Sequence, residues 1–196
     1  MKAYHPIKSI HRIILLICGI ALLAVIFLPI WRIELDAAQY PEGLELHIYS
    51  YKLDGQVEII NGLNHYIGMK TLHADDFVEF TVLPYIIGIY ALAFIVAGLM
   101  ARRKWIYILL AAFLVFGIVA IVDFWFWEYD YGHNLSDDAP IKVPGMAYQP
   151  PLIGYKQLLN FGTYSIPDIG GWIVITCGLL LCYCVYREWQ FSTNKI

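Results

Sequence analysis

Charge is scarce in this chain. Of its 196 residues, 15% are Asp, Glu, Lys or Arg and 60% are hydrophobic, whereas soluble domains carry about 25% charged residues. The formal net charge of -3 argues against a nucleic-acid binder or a polybasic membrane-surface protein. Cysteine is missing from every polar stretch. The four present, Cys18, Cys177, Cys182 and Cys184, all lie in apolar blocks, so no disulfide framework is expected. Cys182 and Cys184 stand two apart, which on a helix sends them to different faces, and they read as small buried or lipid-facing hydrophobes. There is no Cys-x-x-Cys, no His-Glu-x-x-His, no Met-rich repeat, no phosphate-cradling glycine loop and no nucleophile elbow. No enzyme activity is therefore expected.

The hydrophobic residues are concentrated in long blocks, and the mean hydropathy is +0.61. The blocks run over 13–31, 81–100, 105–127 and 169–186. As helices they would extend roughly 27 to 35 Å, against a hydrocarbon core of about 30 Å. Lipid offers no partner to open backbone groups, so spanning segments of this kind are helical. The first block follows Lys2, Lys8 and Arg12, as a signal peptide would. It is longer than an ordinary signal core, and Trp31-Arg32 follows where a small-residue cleavage site would stand, so it reads as a retained anchor. The expected fold is an all-α membrane protein, a four-transmembrane-helix bundle. Two outer loops would form a small cap built of a short β-hairpin and short helices.

Basic residues set the expected orientation. Lys2, Lys8 and Arg12, then Arg102, Arg103 and Lys104, then Arg187 and Lys195 fall on one side, against the single acid Glu188. That side is expected to be cytoplasmic, in a bacterial inner membrane, with residues 1–12, 101–104 and 187–196 inside. Loop one (32–80) and loop two (128–168) would face outward into the periplasm. Trp31 and Trp125-Phe126-Trp127 suit the outer interface, and Trp105 and Trp189 the inner one.

Loops of this length usually have structure and carry function. Loop one offers a turn at Pro41-Glu42-Gly43 and an alternating segment, Leu44 to Tyr49. Lys52 to Gly55 would then turn the chain into a returning strand at Val57 to Ile59. Loop two is rich in proline and aromatics, and Leu152 to Phe161 is expected to form a short interfacial helix. Each loop is too small for a large core, so a protein partner on the outer face is expected beside the lipid bilayer.

His65, Met69 and His73 stand four residues apart, a spacing that aligns them on one face if a single helix carries all three. Two imidazoles and a thioether suit copper, Cu(I) above all. Met146, His47 and His133 could complete or flank such a site. The alternative reading gives these residues ordinary roles, and Gly68 weakens a continuous helix through the set. Asp123, about one turn from the outer end of the third block, is a candidate because charge inside a membrane helix is usually functional. Its nearness to the interface equally fits a solvated carboxylate.

Three stretches, Ala38-Gln39-Tyr40-Pro41-Glu42-Gly43-Leu44, Asn61-Gly62-Leu63-Asn64-His65-Tyr66-Ile67-Gly68-Met69 and Tyr148-Gln149-Pro150-Pro151-Leu152-Ile153-Gly154, resemble a family of small multi-pass membrane proteins of Bacteroidota. Members of that family are encoded near nitrous-oxide-reductase maturation genes of the NosL copper-accessory type. The resemblance implies an accessory role in copper supply to a periplasmic copper enzyme, with copper as the possible cofactor. Two other roles stand beside it: a structural or interaction subunit of a membrane complex, and a membrane redox subunit that meets a lipid or quinone.

Overall fold

The computed structural model describes residues 7–158 and 161–193. Lys2 and Lys195 of the basic count lie outside them. Five helices, α1 (Ser9–Val25), α2 (Val57–Ile67), α3 (Val78–Met100), α4 (Arg103–His133) and α5 (Ile169–Thr193), accompany five strands. The strands are β1 (Trp31–Ala37), β2 (Tyr40–Ile48), β3 (Leu53–Gly55), β4 (Gly154–Leu158) and β5 (Phe161–Pro167). They form one antiparallel sheet in the order β3-β2-β1-β5-β4.

This corrects the expected all-α, four-helix bundle. Among the described residues three helices, α3, α4 and α5, are long and apolar enough to cross a membrane, and α1 has 17 residues, about 26 Å at 1.5 Å per residue. The block read as one helix up to Trp31 leaves the helix after Val25 and turns through Ile26, Phe27 and Leu28 to Pro29. Proline disfavours helix in the residue before it and has no N–H to donate. Ile30 donates instead to the Ile48 carbonyl, 2.7 Å away, and Trp31 opens β1. The cap is therefore mostly sheet. β2 pairs with β3 rather than with Val57–Ile59, because Val57, Ile60, Leu63 and Ile67 recur at helical spacing along α2. The segment expected as an interfacial helix, Leu152 to Phe161, supplies β4, which pairs with β5; its Leu159 and Asn160 lie outside the described residues.

α1 packs along α3 and also touches α5, which in turn packs on α4. Gly19 of α1 lies so close to α3 that an added Cβ would come within 2.8 Å of the Ala91 carbonyl, the close approach that small residues permit between helices. The bundle core gathers Leu15, Leu22, Ile87, Phe94, Ile106 and Leu181. A second core lies between the sheet and α2, around Ile33, Leu44, Leu46, Ile60, Leu72 and Tyr131.

One end of the bundle is fastened by Glu188, which is fully buried. Its Oε1 accepts from the Lys8 backbone N–H (2.9 Å) and meets His11 Nδ1 (2.7 Å); Oε2 accepts from Arg103 Nε (3.0 Å). One carboxylate thus joins the start of α1, the start of α4 and the end of α5. Removing one member of a buried, fully bonded set strands the others. Glu188→Ala is expected to destabilise the protein by about 3–5 kcal/mol, read as a lowered Tm in detergent, while Glu58→Ala on the exposed side of α2 leaves Tm within a degree or so.

Candidate functional site: a buried carboxylate in an apolar cap cavity

α4 has 31 residues and extends about 46 Å, well beyond a hydrocarbon core of about 30 Å. Its last turns leave the bundle and enter the cap. The Trp127 ring meets Phe77, the residue before α3, at 5.4 Å, and Tyr131 stacks on the same Phe77 at 5.9 Å. Glu128, one residue past the apolar block, therefore stands at the level of the sheet.

Across it lies the inner face of the sheet. Register places Ile33 opposite Leu46 and Ser165, and Leu35 opposite Leu44 and Thr163, so these side chains share one face. Arg32, Glu34, Glu45 and His47 occupy the other face. α2 closes the inner side through Ile60 and Leu63, and its end is secured by amides. Asn61 Nδ2 donates to the Leu72 carbonyl (3.1 Å), its Oδ1 accepts from the Leu72 N–H (2.7 Å), and Asn64 Nδ2 donates to the Lys70 carbonyl (3.3 Å). Gly68 terminates α2 at φ +81°, where a Cβ would lie 2.9 Å from that of Ala139. Only glycine combines that conformation with such an approach. Loop two is pinned here: Ser136 N–H donates to the Gly68 carbonyl, Ile141 N–H to that of Tyr66, and Tyr148 N–H to that of Gly132.

These elements line a partly open apolar cavity of about 70 Å³ whose wall includes Met69, Trp127, Glu128, Tyr131, Tyr148 and Thr163. Glu128 has no solvent exposure, and neither carboxylate oxygen has a hydrogen-bond partner among the described residues. The Tyr148 hydroxyl and the Thr163 hydroxyl are buried and unpartnered in the same wall. Buried polar groups are nearly always bonded, so three unpaired groups around one cavity mark it out from the rest of the fold. Burial pushes the Glu128 carboxyl up to about 8, a rise that the through-space effect of Lys156 only partly opposes.

The sequence-derived candidates lie elsewhere, with one exception. Met69 is half-buried and lines the cavity. His65 is exposed on α2, and His73 is exposed in the extended segment before a short 3₁₀ turn, Ala74–Asp76. α2 ends at Ile67, so no common helical face carries His65, Met69 and His73. Among the described residues no group of three or more His, Cys, Asp or Glu is placed to hold a metal ion. His47, on the far face of the sheet, bridges Asp168 Oδ2 (3.0 Å) and Glu45 Oε2 (3.1 Å). His133 stacks on Tyr129 and its Nδ1–H meets that residue's carbonyl at 3.0 Å. Met146 is half-buried in loop two, and Asp123 lies on the exposed side of α4; neither borders the cavity. Sequence reading missed Glu128, Thr163 and the role of Tyr148. The available signal was an acid directly after an apolar helix, which resembles any helix end.

A raised carboxyl pKa makes the folded state bind more protons than the unfolded chain, so stability falls as pH rises between the two values. For Glu128 that window runs from about 4.5 to about 8. The Tm of the wild type is expected to fall by several degrees more than that of Glu128→Gln across this range, and parallel curves would show that Glu128 is not desolvated. Comparison with protein-family models, curated proteins and solved structures returns no match for this chain.

Proposed function

We propose that this chain is a membrane-anchored binding protein whose cap receives the donor-bearing end of a small, largely apolar molecule. The observation that carries the reading is Glu128, wholly buried and unpartnered in an apolar wall beside two unpartnered hydroxyls. A few polar groups set in an apolar concavity are the usual composition of a ligand site. The stretches on which the family resemblance rests supply part of that wall, Leu63, Asn64, Ile67 and Met69 from one and Tyr148 and Pro150 from another. In this reading α3, α4 and α5 hold the protein in a bacterial cytoplasmic membrane. The basic end, where Lys8 and Arg103 meet Glu188, faces inward by the positive-inside rule, and the cap faces out, next to the headgroups from which an apolar ligand would arrive. The role is binding, without a catalytic step.

Native mass spectrometry of protein extracted from its own membranes in a mild detergent tests this. The wild type is expected to retain a small molecule that Thr163→Trp, which fills the cavity, and Glu128→Ala both lack. All three at the mass of the bare polypeptide, with nothing retained, would remove the reading.

A second reading keeps the copper-supply role implied by the resemblance, because the Met69 thioether borders this cavity. A Cu(I) competition titration in detergent is then expected to give stoichiometric binding that weakens in Met69→Ala and in His65→Ala. Absence of binding, or binding indifferent to both changes, would rule out copper at this segment.

A further inference from the structure

The unpartnered groups around the cavity are chemically unequal, and their inventory restricts what can satisfy them. An ionised carboxylate only accepts hydrogen bonds, and a hydroxyl can accept or donate. Glu128, Tyr148 and Thr163 therefore present three acceptors, with residue exposures of 0%, 2% and 1%. Among the described residues no lysine, arginine or histidine lines the cavity. Lys156, whose charge acts on Glu128 through space, is paired in register with Thr163 at the sheet edge, and its ammonium donates to the Gln149 carbonyl at 2.9 Å.

An anionic head, whether phosphate, sulfate or carboxylate, would be buried in this wall with no lining cation to offset its charge. A neutral carbonyl could accept from the protonated Glu128 carboxyl but offers no donor to the Tyr148 and Thr163 oxygens. A quaternary ammonium would supply charge but no N–H. A primary ammonium supplies three N–H donors, one for each acceptor, and its charge favours the ionised form of the Glu128 carboxyl. Trp127 and Tyr131 also border the cavity, and aromatic rings attract desolvated cations. The space of about 70 Å³ holds the ammonium and its first carbons, and the apolar lining suits a hydrocarbon or aryl body.

Resting on the binding reading above, we infer that the ligand of the cap cavity is a primary alkyl- or arylalkylammonium, held by Glu128, Tyr148 and Thr163. The same chemistry is carried by a free amine and by a lysine side chain of a polypeptide, and the two sources are separable.

Isothermal titration of the full chain in lipid nanodiscs tests the assignment with 2-phenylethylamine, 2-phenylethanol, phenylethyltrimethylammonium and a capped lysine peptide. The amine is expected to bind at least about 10-fold more tightly than the alcohol, as a charge-assisted bond to a desolvated carboxylate should, and more tightly than the quaternary analogue. Glu128→Gln, with its Tm checked for intact folding, is expected to abolish the preference for the amine over the alcohol. Tighter binding of the capped peptide than of the amine would identify a lysine side chain as the natural source, and the reverse a free amine. Equal binding of amine and alcohol, or a preference that survives Glu128→Gln, would overturn the inference. If a retained molecule is found by native mass spectrometry while no amine preference exists, this inference alone fails; if nothing is retained and no probe binds, the binding reading fails with it.

Discussion

The pairing of β1 with β5 is the contact on which the rest of the cap depends. It runs without a register break from Trp31 opposite Pro167 to Ala37 opposite Phe161, and joins a strand that follows α1 to one that precedes α5. Ile30 and Pro29 extend the connection, accepting from the Asp168 and Gly170 N–H groups. Gly171 permits this approach, since a Cβ there would lie 2.2 Å from the Ile30 carbonyl. Through this ladder two loops, each too short to bury a core alone, become one sheet with a covered face. The sheet rises directly out of the helices, so the bundle fixes its position as well as its connectivity. Only because β5 sits beside β1 does Thr163 share a face with Leu35 and come opposite the end of α4.

Two buried glutamates show how the same side chain takes different parts in one fold. Glu188 accepts from a backbone N–H and an arginine and meets a histidine, so its charge is compensated and its effect is to hold three helix ends together. Glu128 is buried as fully but has none of these partners. An uncompensated carboxylate in an apolar interior destabilises the folded state by several kcal/mol if it ionises. Leucine at that position would pack the same wall without that penalty. A group that weakens the fold and links no elements is best accounted for by what it does when a ligand meets it. That contrast within one chain is the main ground for placing function at the cap cavity rather than at the better-bonded polar clusters.

The long helices were legible because lipid imposes a length and a composition that few other structures share, and α3 to α5 follow the apolar blocks closely. The sheet was harder to see. Trp31 to Ala37 alternates apolar and polar at every step, but it directly continues an apolar run, and the run hid the alternation. Loop two was misread for a related reason. Pro150-Pro151 and the aromatics that follow do not fix a period, and Gly154–Leu158 becomes a strand only because β5 is there to pair with it. The set of His65, Met69 and His73 depended on a helix passing through Gly68. The glycine instead takes the left-handed conformation that ends α2, which leaves one of the three on the cavity wall. Glu128 could not have been singled out, since its burial is produced by residues from four other parts of the chain.

The location of the cavity also bears on how it can be filled. Phe77, Phe124, Trp127 and Tyr131 form a continuous ring contact between the top of the bundle and the floor of the cap. Aromatic side chains at this depth tolerate both headgroup and hydrocarbon surroundings. An apolar ligand with one polar end faces the same division, and concentrates where its body is in lipid and its head in water. On the proposed placement, a site at that depth would meet such molecules already oriented and at raised local concentration, so modest intrinsic affinity would suffice for occupancy. Soluble polar molecules gain nothing from this placement and would have to shed their water against an almost wholly apolar wall. The depth of the cavity and the chemistry of its few polar groups thus favour the same class of ligand by independent routes.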